Sequence, residues 1–452
     1  MTTRQTLAML RHYESRNVTF VEPDGSWPIV WKRAQGVHVW DAEDRKYLDL
    51  TAAFGVAAAG HANASVVKSG RAQMGGLLHA MGDVHPHELK ARLARELSRL
   101  TFERWTASAD KSGSAVATGK TIFCNSGFEA VEVALKTAFL ATGKPGIIAF
   151  EGGYHGLGYG ALNATHRSHF RSPFRAQLRE FGTFVQFPTT PPILDRKSSD
   201  DMLSDLALAI AAEFKRGTVG AILVEPIQVR GGINIPPPGF LPLLRRLCEE
   251  DGALLILDEI YTGFGRTGKW FACEHANVVP DLVCLGKALT GGFPLSACVG
   301  RADCMDQAWP PSTGEAIHTS TYLGHPVGCA MALAQIQEIR SRRLVQKSQS
   351  VGRHLLKLLR QLTTDDANLA VTARGEGLLA GVEFRHSNGT PATGTSVRLM
   401  KDMLKNGFIV LPEGEHSNII SFTPPLTISP QQLSSALSVF QDLLRHQPLA
   451  SR

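Results

Sequence analysis

The sequence predicts an α/β fold: a large domain built on a mostly parallel sheet covered by helices, with a smaller α+β domain. Three observations carry this. Short apolar runs alternate with helix-length segments: TIFC (121–124), GIIAF (146–150), AILVEPI (221–227), ALLILDEI (253–260) and LVCL (282–285). Near-continuous runs, as opposed to strict alternation, mark strands buried on both faces. Glycine supplies 43 of 452 residues, an excess over the usual ~7% that suits many tight strand–helix turns. The length also exceeds one ordinary core. The expected division is 1–75 as an N-terminal segment of the small domain, 76–328 as the large domain and 329–452 as the C-terminal small domain.

Taken in order, VHVWDAEDRKYLDLTAA (37–53) alternates apolar and polar residues about a central turn and reads as a β-hairpin. A helix is expected from about His87 to Leu100, with Leu89, Leu93 and Leu97 at helical spacing. Residues 104–120 are small and polar and read as a surface loop. After the strand TIFC, residues 127–143 form a helix with Val131, Ala134, Leu135, Ala138 and Phe139 on one face. GIIAF is the next strand. The Pro- and Ser-rich stretch 188–201 is a loop, and a helix follows near 202–216. Another helix covers about 239–251, between the strands AILVEPI and ALLILDEI. From about residue 328 the chain turns helical, then mixes helix with short strands such as GLLAGVEF and FIVL. No internal repeat is present.

Bulk properties exclude several classes. Lys and Arg number 47 against 41 Asp and Glu, a net charge of +6 without a basic block of five or more. Nucleic acid is therefore not an expected partner. No apolar run reaches the length of a membrane span, and the N-terminus lacks the pattern of a signal peptide. The seven cysteines are odd in number and contain no CxxC; they read as reduced core residues of a cytoplasmic protein. No metal-ligand spacing appears among the 16 histidines, so no metal is expected.

In open parallel sheets, ligands bind beyond the carboxyl ends of the strands. Those ends carry Asn125-Ser126-Gly127 after TIFC, Tyr154-His155 in the loop after GIIAF, Glu225 after AILV, Asp258-Glu259 after ALLIL, and Lys287 after LVCL-Gly286. Each has an ordinary explanation. Ser126 can cap a helix, and a lysine past a strand end usually reaches solvent. Yet Lys287 sits in an otherwise apolar stretch, and burying an ammonium is costly unless it is paired or neutralised. Together the residues offer a phosphate cradle, a flat aromatic, a buried acid and a buried lysine. Pyridoxal phosphate uses all four.

With these residues assembled, the chain resembles the class III pyridoxal-phosphate aminotransferases of fold type I over nearly its whole length. The motifs are NSGFEAVEVALKTA, GGYHG, EPIQ, LDEIYTGFGRTG, LGKALTGGFPLSA and HTSTYLGHP, in that order. The main alternative for such a sheet, a Rossmann dehydrogenase, has no use for Lys287, and the GxGxxG spacing that occurs, GFGRTG (263–268), lies inside the motif LDEIYTGFGRTG. The resemblance implies a seven-stranded-type sheet and a homodimer with shared active sites. It implies that Lys287 forms the Schiff base and that Asp258 pairs with the pyridinium nitrogen. Ser126, Gly127 and Phe128 would hold the phosphate, Tyr154 would stack on the ring with His155 beside it, and Thr321 of the partner subunit would complete the phosphate site. Tyr261 stands where relatives contact the cofactor's phenolic oxygen, and Glu225 matches an active-site glutamate that often pairs with a substrate-binding arginine. The implied reaction is a ping-pong transamination: an amine gives its nitrogen to the cofactor, with freed Lys287 moving the proton, and a 2-oxo acid or aldehyde takes it up.

The departures concern substrate. Relatives acting on glutamate or γ-aminobutyrate commonly have an arginine after YHG, where this chain has Leu157, and one in a C-terminal motif, where it has Ser421. Neither can grip a carboxylate bidentately as arginine does. Arg230 occupies a position where the family often has Glu or Asp; it can pair with Glu225, bind a carboxylate, or sit on the surface. Phe128 is bulkier than the usual residue in the phosphate turn, and His325 replaces a common Asn. Phe54 is expected to line the pocket. The expected donor is an ω-amine or a largely apolar amine. An aminomutase or amino-acid epimerase would need the same Lys287 and Asp258 and stays open at this point. A non-catalytic protein would have no reason to keep the two together.

Overall fold

The computed structural model describes residues 1–109, 117–189 and 198–445. Its centre is a seven-stranded sheet: β1 (Gly119–Cys124), β2 (Gly146–Phe150), β3 (Gly182–Val185), β4 (Val219–Val224), β5 (Leu254–Asp258), β6 (Leu282–Leu285) and β7 (Ser296–Arg301). The spatial order is β1-β7-β6-β5-β4-β2-β3. The neighbours from β6 to β3 pair in parallel. Only β7 runs against its neighbours, pairing antiparallel with both β1 and β6.

The apolar runs are continuous because both faces are covered. Along the middle strands, Ile148, Phe150, Ile222, Val224, Leu255 and Leu257 join one core. Their chain neighbours Ile147, Ala149, Ala221, Leu223 and Ile256 join a second core across the sheet. Alternate side chains of a strand point to opposite faces, so each strand feeds both layers. Each large aliphatic side chain buried this way contributes about 1.5–3 kcal/mol. Helix Gly127–Thr142 seals the second core with Ala130, Val131, Val133, Ala134 and Ala138, and ends at Gly143, which takes φ +68°.

Two smaller sheets flank the first. In one, the predicted hairpin pairs His38–Asp41 with Lys46–Asp49, and Phe408–Ile409 adds in parallel to Lys46–Asp49. That pairing ties the N-terminal hairpin to the C-terminal region. The other is antiparallel, with Leu379–His386 between Leu369–Glu376 and Ile419–Phe422, and Leu411–Glu413 at an edge.

Several boundaries differ from expectation. The segment beginning at 104 continues a helix, Phe102–Ala109, because Phe102 and Trp105 are buried on one side of it. The rest of that expected loop up to 116 lies outside the described residues, as do 190–197 of the Pro/Ser-rich stretch. Strand β1 starts two residues early, at Gly119. Strand β4 spans Val219–Val224, ending before Glu225, and β5 ends at Asp258. Strands β3 and β7 (GTFV and SACVGR) were not foreseen. Their small or polar residues weaken the strand signal, and pairing with neighbours is what makes them strands.

Candidate active site

A cavity of about 440 Å³ opens at the carboxyl ends of β1, β2, β4, β5 and β6. Lys287, Asp258, Tyr154, His155, Glu225, Gly127, Phe128, Leu157, Arg230 and Tyr261 all line it, together with Gly156 and Ile260. The sheet gathers residues that are up to 160 positions apart in sequence.

Lys287 follows β6 through Gly286. Its φ is +35°, a conformation that a non-glycine residue adopts only when its surroundings hold it there. Its Nζ lies 4.7 Å from the centroid of the Tyr261 ring. Burial lowers its pKa and outweighs the opposing pull of Asp258 and Glu225. The neutral amine, which is the nucleophilic form, is thereby favoured.

Asp258 ends β5. One carboxylate oxygen accepts from the Ile260 N–H (3.1 Å), and the other lies 2.8 Å from Nδ1 of His155. Burial opposes charging the imidazole, yet the hydrogen bond and charge of Asp258 outweigh it and raise the His155 pKa. The backbone N–H of His155 is held in turn by Thr165 Oγ1 at 2.9 Å. The Asp258 carboxyl group is thus fixed in place at the edge of the cavity.

Glu225, buried at the end of β4, accepts from the N–H groups of Tyr154 (3.1 Å) and Val229 (3.1 Å). Burial pushes its pKa up to about 7, with His155 opposing and Asp258 adding. It has no arginine partner among the described residues. Arg230 pairs instead with Glu413, Nη1 to Oε2 at 3.2 Å, and its guanidinium lies 5.7 Å from the Tyr154 ring centroid. Burial raises the Glu413 pKa to about 7 despite Arg230 and Arg167. Arg167 donates to the Arg230 carbonyl at 2.9 Å, and burial together with Arg230 lowers its own pKa. Sequence reading missed both Glu413 and Arg167. No motif flags them; the pairing of strands Leu411–Glu413 and Ile419–Phe422 brings Glu413 in.

A phosphate fits the turn after β1. The side-chain oxygen of Ser126 is buried without a partner among the described residues. The carboxylate of Glu129 takes the N–H groups of Asn125 (2.7 Å) and Ser126 (2.9 Å), leaving the first helical N–H groups, at Gly127 and Phe128, to meet an anion. Side chains are restricted here. A Cβ on Gly127 would come 3.1 Å from Ile260, and one on Gly156 would come 2.3 Å from the Phe128 Cβ. With Lys287 and Asp258 across the same cavity, the residues present fit pyridoxal phosphate. No cluster that could hold a metal ion occurs among the described residues.

Three expected contacts lie elsewhere. Phe54 is half exposed and does not line the cavity. It sits in a left-handed turn with Ala52 (φ +48°), Ala53 (φ +49°) and Gly55 (φ +80°), its own φ being +60°. Ser421 is buried in its strand and donates to the Leu411 carbonyl at 3.2 Å, so the sheet consumes its hydroxyl. Thr321 is exposed and outside the lining of its own chain's cavity. The Tyr261 hydroxyl lies 3.2 Å from Thr423 Oγ1.

The aminotransferase class-III family signature matches residues 20–444. The chain belongs to the class III aminotransferases. Among curated relatives, it is 34% identical over 417 residues to an acetylornithine aminotransferase of Methanosarcina mazei, covering 92% of each. It is 33% identical over 417 residues to a 5-aminovalerate aminotransferase of Pseudomonas aeruginosa, covering 92% of this chain and 93% of the relative. Among solved structures, an (S)-enantioselective ω-transaminase of Thermomicrobium roseum superposes with a TM-score of 0.87 at 26% identity, covering 98% of each chain. An amine transaminase from an uncultivated Pseudomonas species, in its pyridoxal-phosphate-bound form, gives 0.83 at 26% identity over 96% of this chain and 98% of the other. This class III aminotransferase is therefore a pyridoxal-phosphate enzyme, and its fold is the one those structures share.

Proposed function

We propose that this class III transaminase takes its nitrogen from an ω-amine or a largely apolar amine. The observation that carries the reading is the state of the carboxylate-binding positions. Leu157 lines the cavity as an exposed aliphatic residue, Ser421 is spent in the sheet, and Arg230 is paired with Glu413. A donor carboxylate would find no free guanidinium unless Arg230 left Glu413, whereas an apolar donor meets Leu157, Phe128 and Ile260. Arg230 is the one arginine lining the cavity among the described residues, so a 2-oxo acid acceptor would likewise have to draw it away from Glu413.

When bound, pyridoxal phosphate supplies an electron sink that stabilises a carbanion next to nitrogen. The chain's own residues do the rest. The Ser126 hydroxyl and the N–H groups of Gly127 and Phe128 would hold the phosphate. Asp258, steadied by His155, would offer its carboxylate to the ring nitrogen. Tyr154 would pack against the ring. Lys287 would anchor the cofactor through its Nζ, and the same amine, once freed, would move the donor's proton. The depressed pKa of Lys287 suits both tasks. An aminomutase or epimerase would use the same groups, and the fate of the donor nitrogen separates them.

The working unit is a homodimer in the cytoplasm, with Thr321 of the partner subunit at the phosphate. Exposed Leu77, Leu78, Met81, Val84, Ile317 and Tyr322 support an interface. All seven cysteines are free and buried, which fits a reducing compartment. No helix among the described residues is long and apolar enough to cross a membrane.

The test is a donor screen. The purified holoenzyme would be mixed singly with arylalkylamines, putrescine, ornithine, γ-aminobutyrate and glutamate, following the visible absorbance of the cofactor. Rapid loss with amines and an inert glutamate is expected. Rapid loss with glutamate would overturn the donor assignment. Transfer of donor nitrogen to an added 2-oxo acid, read by mass, is expected of a transaminase and excludes a mutase.

A further inference from the structure

The resemblance gives Tyr261 one task, a contact with the cofactor's phenolic oxygen. In the structure its hydroxyl is committed elsewhere. It lies 3.2 Å from Thr423 Oγ1, and Thr423 Oγ1 donates to the Thr51 carbonyl at 3.1 Å. A threonine hydroxyl has one hydrogen, so in the contact between the two hydroxyls Tyr261 is the donor. Its own single hydrogen is thereby used. Burial raises the Tyr261 pKa, with Glu413 adding, so the phenol keeps that hydrogen.

The ring is held from several directions. Ile227, Val229, Ile233 and Leu379 pack with it. Gly55 lies behind it: a Cβ there would come 2.8 Å from the ring. Gly55 closes the left-handed turn 52–55, which persists only while its surroundings hold it. Asp49, fully buried, does so by accepting from the N–H and hydroxyl of Thr51 (2.8 and 2.6 Å) and from the Ala53 N–H (3.2 Å). Thr423 is fixed as well. Its N–H donates to the Leu50 carbonyl at 2.7 Å. Buried Arg266 donates to the carbonyl of Pro424, the next residue, at 2.5 Å and to that of Leu378 at 3.0 Å.

The cavity therefore meets the face of this ring. Lys287 Nζ lies over that face, 4.7 Å from the centroid. A cation within about 6 Å of a tyrosine ring centroid is attracted by the negative face of the ring. The other charged groups bearing on Nζ are Asp258 at the end of β5, Glu225 after β4, Arg230 in the loop beyond it, and Glu413 on its C-terminal strand. The three acids favour the ammonium and Arg230 opposes it.

We propose that Tyr261 serves proton transfer and not the phenolic oxygen: tethered by Thr423, its ring face receives the ammonium that Lys287 becomes on taking the donor's proton. The proton leaves the donor carbon, its bonding pair stays behind, and the lone pair of Nζ takes it. The new positive charge then stands over the ring. Burial keeps the amine neutral beforehand, and the ring steadies the cation afterwards. Thr423 is a positioning residue that acts through Tyr261. The inference rests on the role given to Lys287 above.

The test uses holoenzyme. Excess amine donor frees Lys287, and a trace of a small acylating reagent then labels the free amine. Mass spectrometry of the Lys287 peptide gives the labelling rate at each pH. That rate follows the neutral amine, so its midpoint marks where the ammonium loses its proton. Tyr261→Leu removes the ring and should lower the midpoint by at least about half a pH unit. Tyr261→Phe and Thr423→Val keep the ring but cut its tether; each should lower the midpoint by a smaller step, and Thr423→Ser should keep the wild-type value. Before donor is added, the visible absorbance of the resting holoenzyme should titrate at the same pH in the wild type and in Tyr261→Phe. A midpoint unmoved or raised in Tyr261→Leu would overturn the role of the ring. Should that variant fail to fold, a midpoint unmoved in both Tyr261→Phe and Thr423→Val would overturn the tethered contact. A resting titration that moves in Tyr261→Phe would mean that the hydroxyl serves the cofactor, and would equally overturn the proposal. Borohydride reduction that fixes the cofactor on a lysine other than Lys287 would refute the functional reading instead, and the labelling midpoint would still decide the ring contact.

Discussion

At the scale of single residues, the site is a set of charges taken out of water and matched to one another. Lys287 has its pKa lowered by burial, and Asp258 is held by His155 and a backbone N–H. On the roles proposed for it, Lys287→Ala removes both the covalent anchor and the proton carrier; turnover should fall by at least about 10²–10⁴-fold, the range for loss of a general base, in a steady-state assay of amine consumption. Glu225 gives a pH signature. Its folded pKa, about 7, stands above its ordinary 4.5, so the folded state holds this proton more tightly than the unfolded chain does. The resulting stabilisation is full below about pH 4.5 and is lost as pH rises through about 7. The melting temperature of the wild type relative to Glu225→Gln should therefore fall across that window, by an amount equivalent to about 3 kcal/mol at most. Arg230 and Glu413 form a separate test. Glu413→Gln frees Arg230 toward the cavity, and the enzyme should then accept carboxylate-bearing donors that the wild type refuses, read as a lowered KM for glutamate.

At the scale of elements, close approach of backbones sets the geometry. Helix Leu344–Arg360 places Gly352 against the turn between strands Leu369–Glu376 and Leu379–His386, where an added Cβ would come 2.1 Å from the Gly377 carbonyl oxygen. Backbone cannot yield as a side chain does. Gly352→Ala should lower stability by about 1–3 kcal/mol, measured by denaturant unfolding, with the substrate preference unchanged in the molecules that fold. The left-handed turn 52–55 is the opposite case. Its strain is carried by Asp49, so the turn depends on contacts and not on its own alanines and phenylalanine.

At the scale of the whole molecule, Leu77, Leu78, Met81, Val84, Ile317 and Tyr322 are large apolar residues left exposed on the single chain, the kind of surface that a partner subunit covers. Sedimentation equilibrium should return twice the chain mass. Thr321→Ala should loosen pyridoxal phosphate without shifting that mass, read as faster loss of the cofactor on dilution. A monomer would remove the role given to Thr321.

The sequence by itself determined the α/β class with its mostly parallel sheet, the cofactor, and the strand-end residues proposed to serve it. Those signals are local: an apolar run ending in an acid or in Gly-Lys, and a Ser-Gly pair opening a helix. Lys287, Asp258, Tyr154 and His155 line one cavity because parallel strands present their ends on one side. Short strands such as GTFV and SACVGR escaped, since pairing across the sheet makes them strands. Only the tertiary structure decided which partner each charge takes. Arg230 meets Glu413 instead of Glu225 because two C-terminal strands carry Glu413 to it across nearly 200 residues of chain. For the same reason Ser421 is lost to the sheet and Phe54 to a strained turn. A carboxylate's neighbours in space depend on how remote segments pack, and no local pattern encodes them.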